Sequence, residues 1–171
     1  MANSNYRGFT LIELIVVITI LALLSLTLSA RFIAIKDDAD AAMNSAIAGS
    51  YAEAVKLARA KLLVTGSQGP AEDLQVYGTT DDGKLDFNNL GWPSQHWLGP
   101  PELNPTTNNV ADCLSLWNTI LGQNSYSISS GTATDYRAQY LGSNRCRYLL
   151  NKNNSLFFSY DSNTGVVTIN S

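Results

Sequence analysis

Residues 9–28, FTLIELIVVITILALLSLTL, decide the fold, because the whole run holds a single ionisable side chain, Glu13. With Ser29 and Ala30 the stretch forms a helix of about 22 residues, about 33 Å long at 1.5 Å per residue, against a hydrocarbon core of roughly 30 Å. A soluble helix would show a polar face, and none is present. Ser25, Thr27 and Ser29 carry small hydroxyls that can bond the helix's own carbonyls, so their cost in lipid is low. Glu13 is different. A carboxylate within lipid costs at least a few kcal/mol, so its presence points to a role and to a partner.

Ahead of this run lies MANSNYRG, a polar leader with one cation, Arg7, and a glycine at its end. It is shorter than a secretory signal peptide, and its small residue, Gly8, precedes the apolar run rather than following it. Cleavage at Gly8 would therefore retain the apolar segment. The positive-inside rule places Arg7 in the cytoplasm and sends the remainder outward, with Arg31 and Lys36 diluting the bias.

Gly8-Phe9-Thr10-Leu11-Ile12-Glu13, followed by an unbroken apolar run, resembles the prepilin peptidase site of the type IV pilin family. The likeness covers Gly8 to about Leu62. The resemblance implies that a membrane aspartyl peptidase cuts between Gly8 and Phe9 and methylates the new amine of Phe9. It implies further that the mature subunit joins other pilins in a filament. The free amine of Phe9 is then the expected partner of Glu13. On the same chain it lies one helical turn away, and on a neighbour it would fix axial register, since breaking such a buried pair typically costs about 3 to 5 kcal/mol. Many type IV pilins carry glycine and proline where this chain has Ala22 and Ala30. Alanine is the best helix former, so this helix should resist melting, which brings a minor-pilin or pseudopilin role closer.

Residues 31–64, RFIAIKDDADAAMNSAIAGSYAEAVKLARAKLLV, turn amphipathic and contain no proline. Met43, Ile47, Ala54, Leu57, Ala58 and Leu62 fall near one stripe, with most charges elsewhere. One helix from about Thr10 to Val64 would span roughly 80 Å, half in lipid and half packed on a globular head. The alternative is two helices broken near Lys36 to Asp38. Gly66, Gly69 and Pro70 end the helix, and Ala71 to Asn109, rich in Gly, Pro, Asn and Asp, reads as irregular connecting structure with a short strand at Leu74–Tyr77. Within it Asp81, Asp82, Asp86 and Asn88 gather around Gly83 as candidate oxygen ligands for Ca²⁺, at a spacing that is not an EF-hand's; a solvated turn is the competing reading. Gly91-Trp92-Pro93 and Trp97-Leu98-Gly99-Pro100-Pro101 read as a hydrophobic loop pinned onto the domain, similar to the Tyr/Trp-Pro loop of mannose-sensitive haemagglutinin-type pilins.

Asn108 or Asn109 caps a short helix over Val110–Leu121, with Cys113, Leu114, Trp117, Ile120 and Leu121 inward. Strands follow at Tyr126–Ser130, Tyr136–Leu141, Cys146–Leu150, Leu156–Tyr160 and Val166–Asn170, which predict an antiparallel meander. The clearest hairpin turns at Asp161–Gly165, where asparagine and glycine supply positive φ. In an exported domain, Cys113 and Cys146 read as a disulfide between the short helix and a strand, and the family resemblance agrees. A zinc site would need more than the one histidine, His96, a surface or loop residue.

The formal charge is −3, from 11 Lys+Arg against 14 Asp+Glu. No basic run has the density that nucleic-acid binding needs. No G-x-S-x-G, phosphate-binding glycine loop or activated cysteine suggests an enzyme, and no cofactor is expected.

The expected fold is α+β: a long N-terminal helix, its hydrophobic half transmembrane, packed on a small antiparallel sheet with one disulfide. The organisation is a leader at 1–8, a membrane or filament-core helix at 9–30, its amphipathic continuation at 31–65 and a periplasmic or extracellular head at 66–171. The expected function is that of a structural subunit of a type IV pilus-like filament. It would sit in the inner membrane in a single pass and then in an extracellular filament of like or different pilins. A pseudopilin of a type II secretion system and a membrane-anchored periplasmic binding module are the alternatives.

Overall fold

Alanine-rich sequence free of proline carries one helix, α1, from Leu11 to Val64 in a computed structural model that describes residues 8–122 and 126–170, without the side chains of 26–30 and 33. The leader residues before Gly8 lie outside the described ones. The chain divides into two units, Met1–Asp40 and Ala41–Ser171. In the first, Leu11, Ile12, Leu14 and Leu23 are largely exposed along α1. Among the described residues no helix is long and apolar enough to cross a membrane.

In the second unit, the buried line on α1 is Asn44, Ala48, Tyr51, Val55, Ala58 and Leu62, at alternating spacings of four and three. That corrects the expected stripe. Met43, Ile47 and Ala54 pack at its margin, whereas Leu57 is 61% exposed. Adjacent residues stand about 100° apart on a helix, so Leu57 turns away once Ala58 faces the core.

After a cis Gly69-Pro70 bond the segment expected to be irregular forms a three-stranded antiparallel sheet of β1 (Ala71–Gln75), β2 (Lys84–Phe87) and β3 (Pro93–Gln95). Its strands are short and its register shifts between Ala71 and Leu74, so no clean period of two is visible in the sequence. Asp73, at φ 51°, sits at the shift. Its N–H is held by Asp86 Oδ1 at 2.8 Å. A 3₁₀ turn, Asp81–Gly83, links β1 to β2. Gly83 is required there, because a Cβ would run into the Tyr77 carbonyl.

Helix α2 covers Val110–Leu121 as expected, and Asn109 caps it: its side chain accepts from Ala111 and Asp112 N–H, while Asp112 answers with the Asn109 backbone. Cys113, Leu116, Trp117 and Ile120 are its buried residues among the apolar ones. The second sheet runs in the order β4 (Ile128–Ser129), β5 (Tyr136–Tyr140), β6 (Arg145–Leu150), β7 (Phe157–Asp161), β8 (Val166–Asn170). Strands β5 to β8 form the antiparallel meander. Strand β4 departs from it by pairing parallel to β5. In the β7–β8 turn Gly165 takes φ 71°, but Asn163 does not supply a second positive φ. Its amide instead donates to Ser143 O and Asp161 Oδ1 and accepts from Asn144 Nδ2.

The core is aromatic. Tyr51 of α1 lies 5.4 Å from Tyr148, 5.5 Å from Phe158 and 5.6 Å from Tyr160, ring centre to ring centre, and Trp117 of α2 sits 4.8 Å from Tyr136. Each buried hydroxyl among these has a bonding partner, as burial of a polar group demands. Tyr136 donates to Asn44 Oδ1, Tyr160 to Pro93 O, and Tyr148 to Cys113 O at 2.9 Å. Because the Tyr148 proton is committed there, the 3.2 Å contact between Tyr51 and Tyr148 has Tyr51 as donor. Asn44 completes the seam between α1 and the sheet, donating to Phe157 O and Asn170 O.

Candidate functional site

Phe9 is 80% exposed just ahead of α1, and a Cβ at Gly8 would meet nothing within 4 Å. Alanine therefore fits at Gly8 without local collision. Thr10 occupies the cap position and Glu13 the third helical one. Thr10 N–H and Oγ1 donate to Glu13 Oε2 at 3.2 and 3.0 Å, while Glu13 N–H donates to Thr10 Oγ1 at 3.3 Å. This reciprocal pair is a capping box, and an acid in the first turn also suits the helix dipole. In the uncut chain Phe9 contributes a peptide amide rather than an amine, so Thr10 supplies the carboxylate's partner. The T-x-x-E spacing before an apolar run was the available signal, and the sequence reading missed it.

Cys113 of α2 and Cys146 of β6 form the disulfide, Cα to Cα 5.6 Å, both fully buried. Of the four candidate Ca²⁺ residues, Asp82 is exposed and the other three have separate duties. Asp81 pairs with Lys84 at 2.6 Å. That contact, chiefly a hydrogen bond, holds the carboxyl below its ordinary range. Asp86 is buried, and desolvation raises it, opposed by N–H donors from Asp73 and Trp97. Asn88 Oδ1 accepts from Leu90 and Trp92 N–H, and its amide donates to Ser162 O at 2.6 Å. Among the described residues no three His, Cys, Asp or Glu side chains are grouped to hold a metal ion. The sequence cluster around Gly83 thus resolves into the bonds of a 3₁₀ turn and of the three-stranded sheet.

The tryptophan loop divides. Trp92 is half-buried, with the Arg59 guanidinium 3.9 Å from its ring centre, and Gly165 fits against the ring where a Cβ would collide. Trp97 and Leu98 are each 53% exposed, which corrects the expectation that this loop is pinned down. His96 is half-buried. Its Nδ1 lies 2.9 Å from Lys84 O and must donate to that carbonyl, which makes Nε2 the acceptor of the neutral ring.

Residues 3–29 match the family model described as the prokaryotic N-terminal methylation motif, the type IV prepilin signal. The match spans Gly8, Phe9, Thr10 and Glu13 and covers a small part of the chain. No curated protein and no solved structure matches. The chain carries a methylation motif of the pilin type, which belongs to structural subunits rather than to an enzyme family. The mannose-sensitive haemagglutinin subtype finds no support in these matches.

Proposed function

We propose that the chain is a subunit of a type IV pilus-like filament, cut between Gly8 and Phe9 by a prepilin peptidase and methylated at the Phe9 amine. One observation carries the reading: Gly8-Phe9-x-x-x-Glu13 stands directly before an apolar run, inside the matched residues 3–29. The sequence of 9–30 supplies the membrane anchor before assembly and the apolar surface that packs against other subunits afterwards. Glu13 is held on the first helical turn by Thr10, next to the place where cleavage creates an amine. After cleavage that amine competes for the carboxylate, and pairing with a neighbouring subunit sets axial register. The globular unit forms the outer surface of the filament.

Intact mass and N-terminal sequencing of the membrane-extracted protein, wild type and Gly8→Ala, test the proposal. A start at methylated Phe9, lost in the variant, is expected. An uncut chain in a host that holds the peptidase overturns the reading.

Ala22 and Ala30 favour a second reading, a pseudopilin of a secretion system, since neither residue interrupts a helix. Shearing cells and assaying filaments, alongside export of proteins on deletion, separates the two.

A further inference from the structure

Trp97 is the one tryptophan that the core does not claim. Its indole is nevertheless held in place: a Cβ on Gly99 would collide with the ring at Nε1, Cε2 and Cζ2, so the chain two residues on closes against it. Pro100 and Pro101 follow and restrict that backbone. The backbone N–H of Trp97 is anchored on Asp86 Oδ2 at 3.2 Å. The result is a fixed aromatic surface that stays 53% exposed.

This ring forms one wall of a cleft of about 320 Å³ between the loop after β3 and the start of α2, within the range of small-molecule sites. Apart from Ala111, its other groups are polar, and no Lys or Arg is among them. Gln95, 3% exposed, donates to Glu102 Oε2 at 3.2 Å and so sets that carboxylate on the cleft. His96 offers Nε2 as an acceptor, since Nδ1 is bound to Lys84 O. Opposite stand Asn108 and Asp112. Asp112 Oδ2 is occupied by the N–H groups of Asn108 and Asn109. The Asn108 carbonyl is taken by Asn109 Nδ2, which leaves the Asn108 amide N–H groups as donors.

We infer that this cleft binds a neutral saccharide, with a pyranose ring stacked on Trp97 and its hydroxyls bonded to Glu102, His96 Nε2 and the Asn108 amide. Hydroxyls both donate and accept, which suits a rim of mixed acceptors and donors. The C–H face of a sugar matches the electron-rich face of indole. An anionic ligand is disfavoured by Glu102 and Asp112 with no cation beside them. An organic cation would find a single aromatic wall rather than a cage. The inference does not depend on cleavage at Gly8.

The test is calorimetric titration of the full chain, in a polyoxyethylene detergent that carries no sugar, with maltotriose, cellotriose, mannotriose, N-acetylchitotriose and choline. At least one trisaccharide should bind, and Trp97→Ala and Asn108→Ala should each weaken it, the first by about tenfold or more, with thermal melts unchanged. Asn108→Ala keeps the aromatic wall and so guards against loss of the loop's shape. Absence of binding by every trisaccharide, binding untouched by Trp97→Ala, or binding of choline alone overturns the inference.

Discussion

Tyr148 sits in a chain of donors with no spare acceptor, from the Tyr51 hydroxyl through its own to the Cys113 carbonyl. Tyr148→Phe strands the Tyr51 proton in a dry core, while the Cys113 carbonyl, inside α2, keeps its helical N–H donor. Chemical denaturation should show a loss of about 1 to 3 kcal/mol, more than for Tyr51→Phe, which removes a donor alone. Two carboxylates give opposite acid responses. Asp135 is lowered by hydrogen bonds from the Ser127 hydroxyl and N–H, so its contribution is present above the ordinary carboxylate value and fades as pH falls below about 4. Asp86 is raised by burial, so its contribution is greatest below that value and is lost as pH rises through its folded value. Asp135→Asn should therefore flatten the acid limb of the stability profile. Asp86→Asn should cost more near pH 3 than near pH 7, and it also turns an amide N–H toward a backbone donor. Denaturant titrations across that range check both signs.

Among the elements, α2 depends most plainly on its cap. Asn109→Ala removes the acceptor for two N–H groups and should lower stability by about 1 kcal/mol, measured by thermal melting. The same helix was readable in the sequence to its last residue, because Asn109 and Gly122 punctuate an apolar period. α1 was readable in extent but not in orientation. Ala-rich sequence offers several weakly apolar stripes, and the choice fell to Tyr51 and Asn44, whose polar atoms are satisfied only by partners far along the chain, Tyr148 and Phe157. The sheet of β1 to β3 was hidden for a related reason. Asp86, Asn88, Ser94 and Gln95 are buried, and polar residues satisfied by tertiary bonds look like loop in a linear reading. At the N-terminus the motif from Gly8 to Glu13 was fully legible, whereas the bond from Thr10 to Glu13 was overlooked in favour of an amine that the uncut chain does not possess.

The globular unit as a whole is fastened across its layers by the Cys113–Cys146 bridge, with a sequence separation of 33. Replacing both cysteines with serine should lower stability by up to about 4 kcal/mol on the loop-entropy account, read as a fall in the denaturation midpoint under oxidising conditions. Polar ties between the two sheets, Tyr160 to Pro93 and Asn88 to Ser162, make loosening of one sheet felt by the other. The crowding of phenols gives the unit a further property. Burial pushes Tyr77 up to about 12 and raises Tyr51, Tyr148 and Tyr160 as well. Their contribution to stability is complete below the ordinary tyrosine value of about 10 and is lost as pH climbs past it. In an alkaline absorbance titration these phenolates should emerge together with collapse of the fold, so that colour and structure change in one cooperative step. The protein thereby carries its own optical gauge of integrity, readable without any added label.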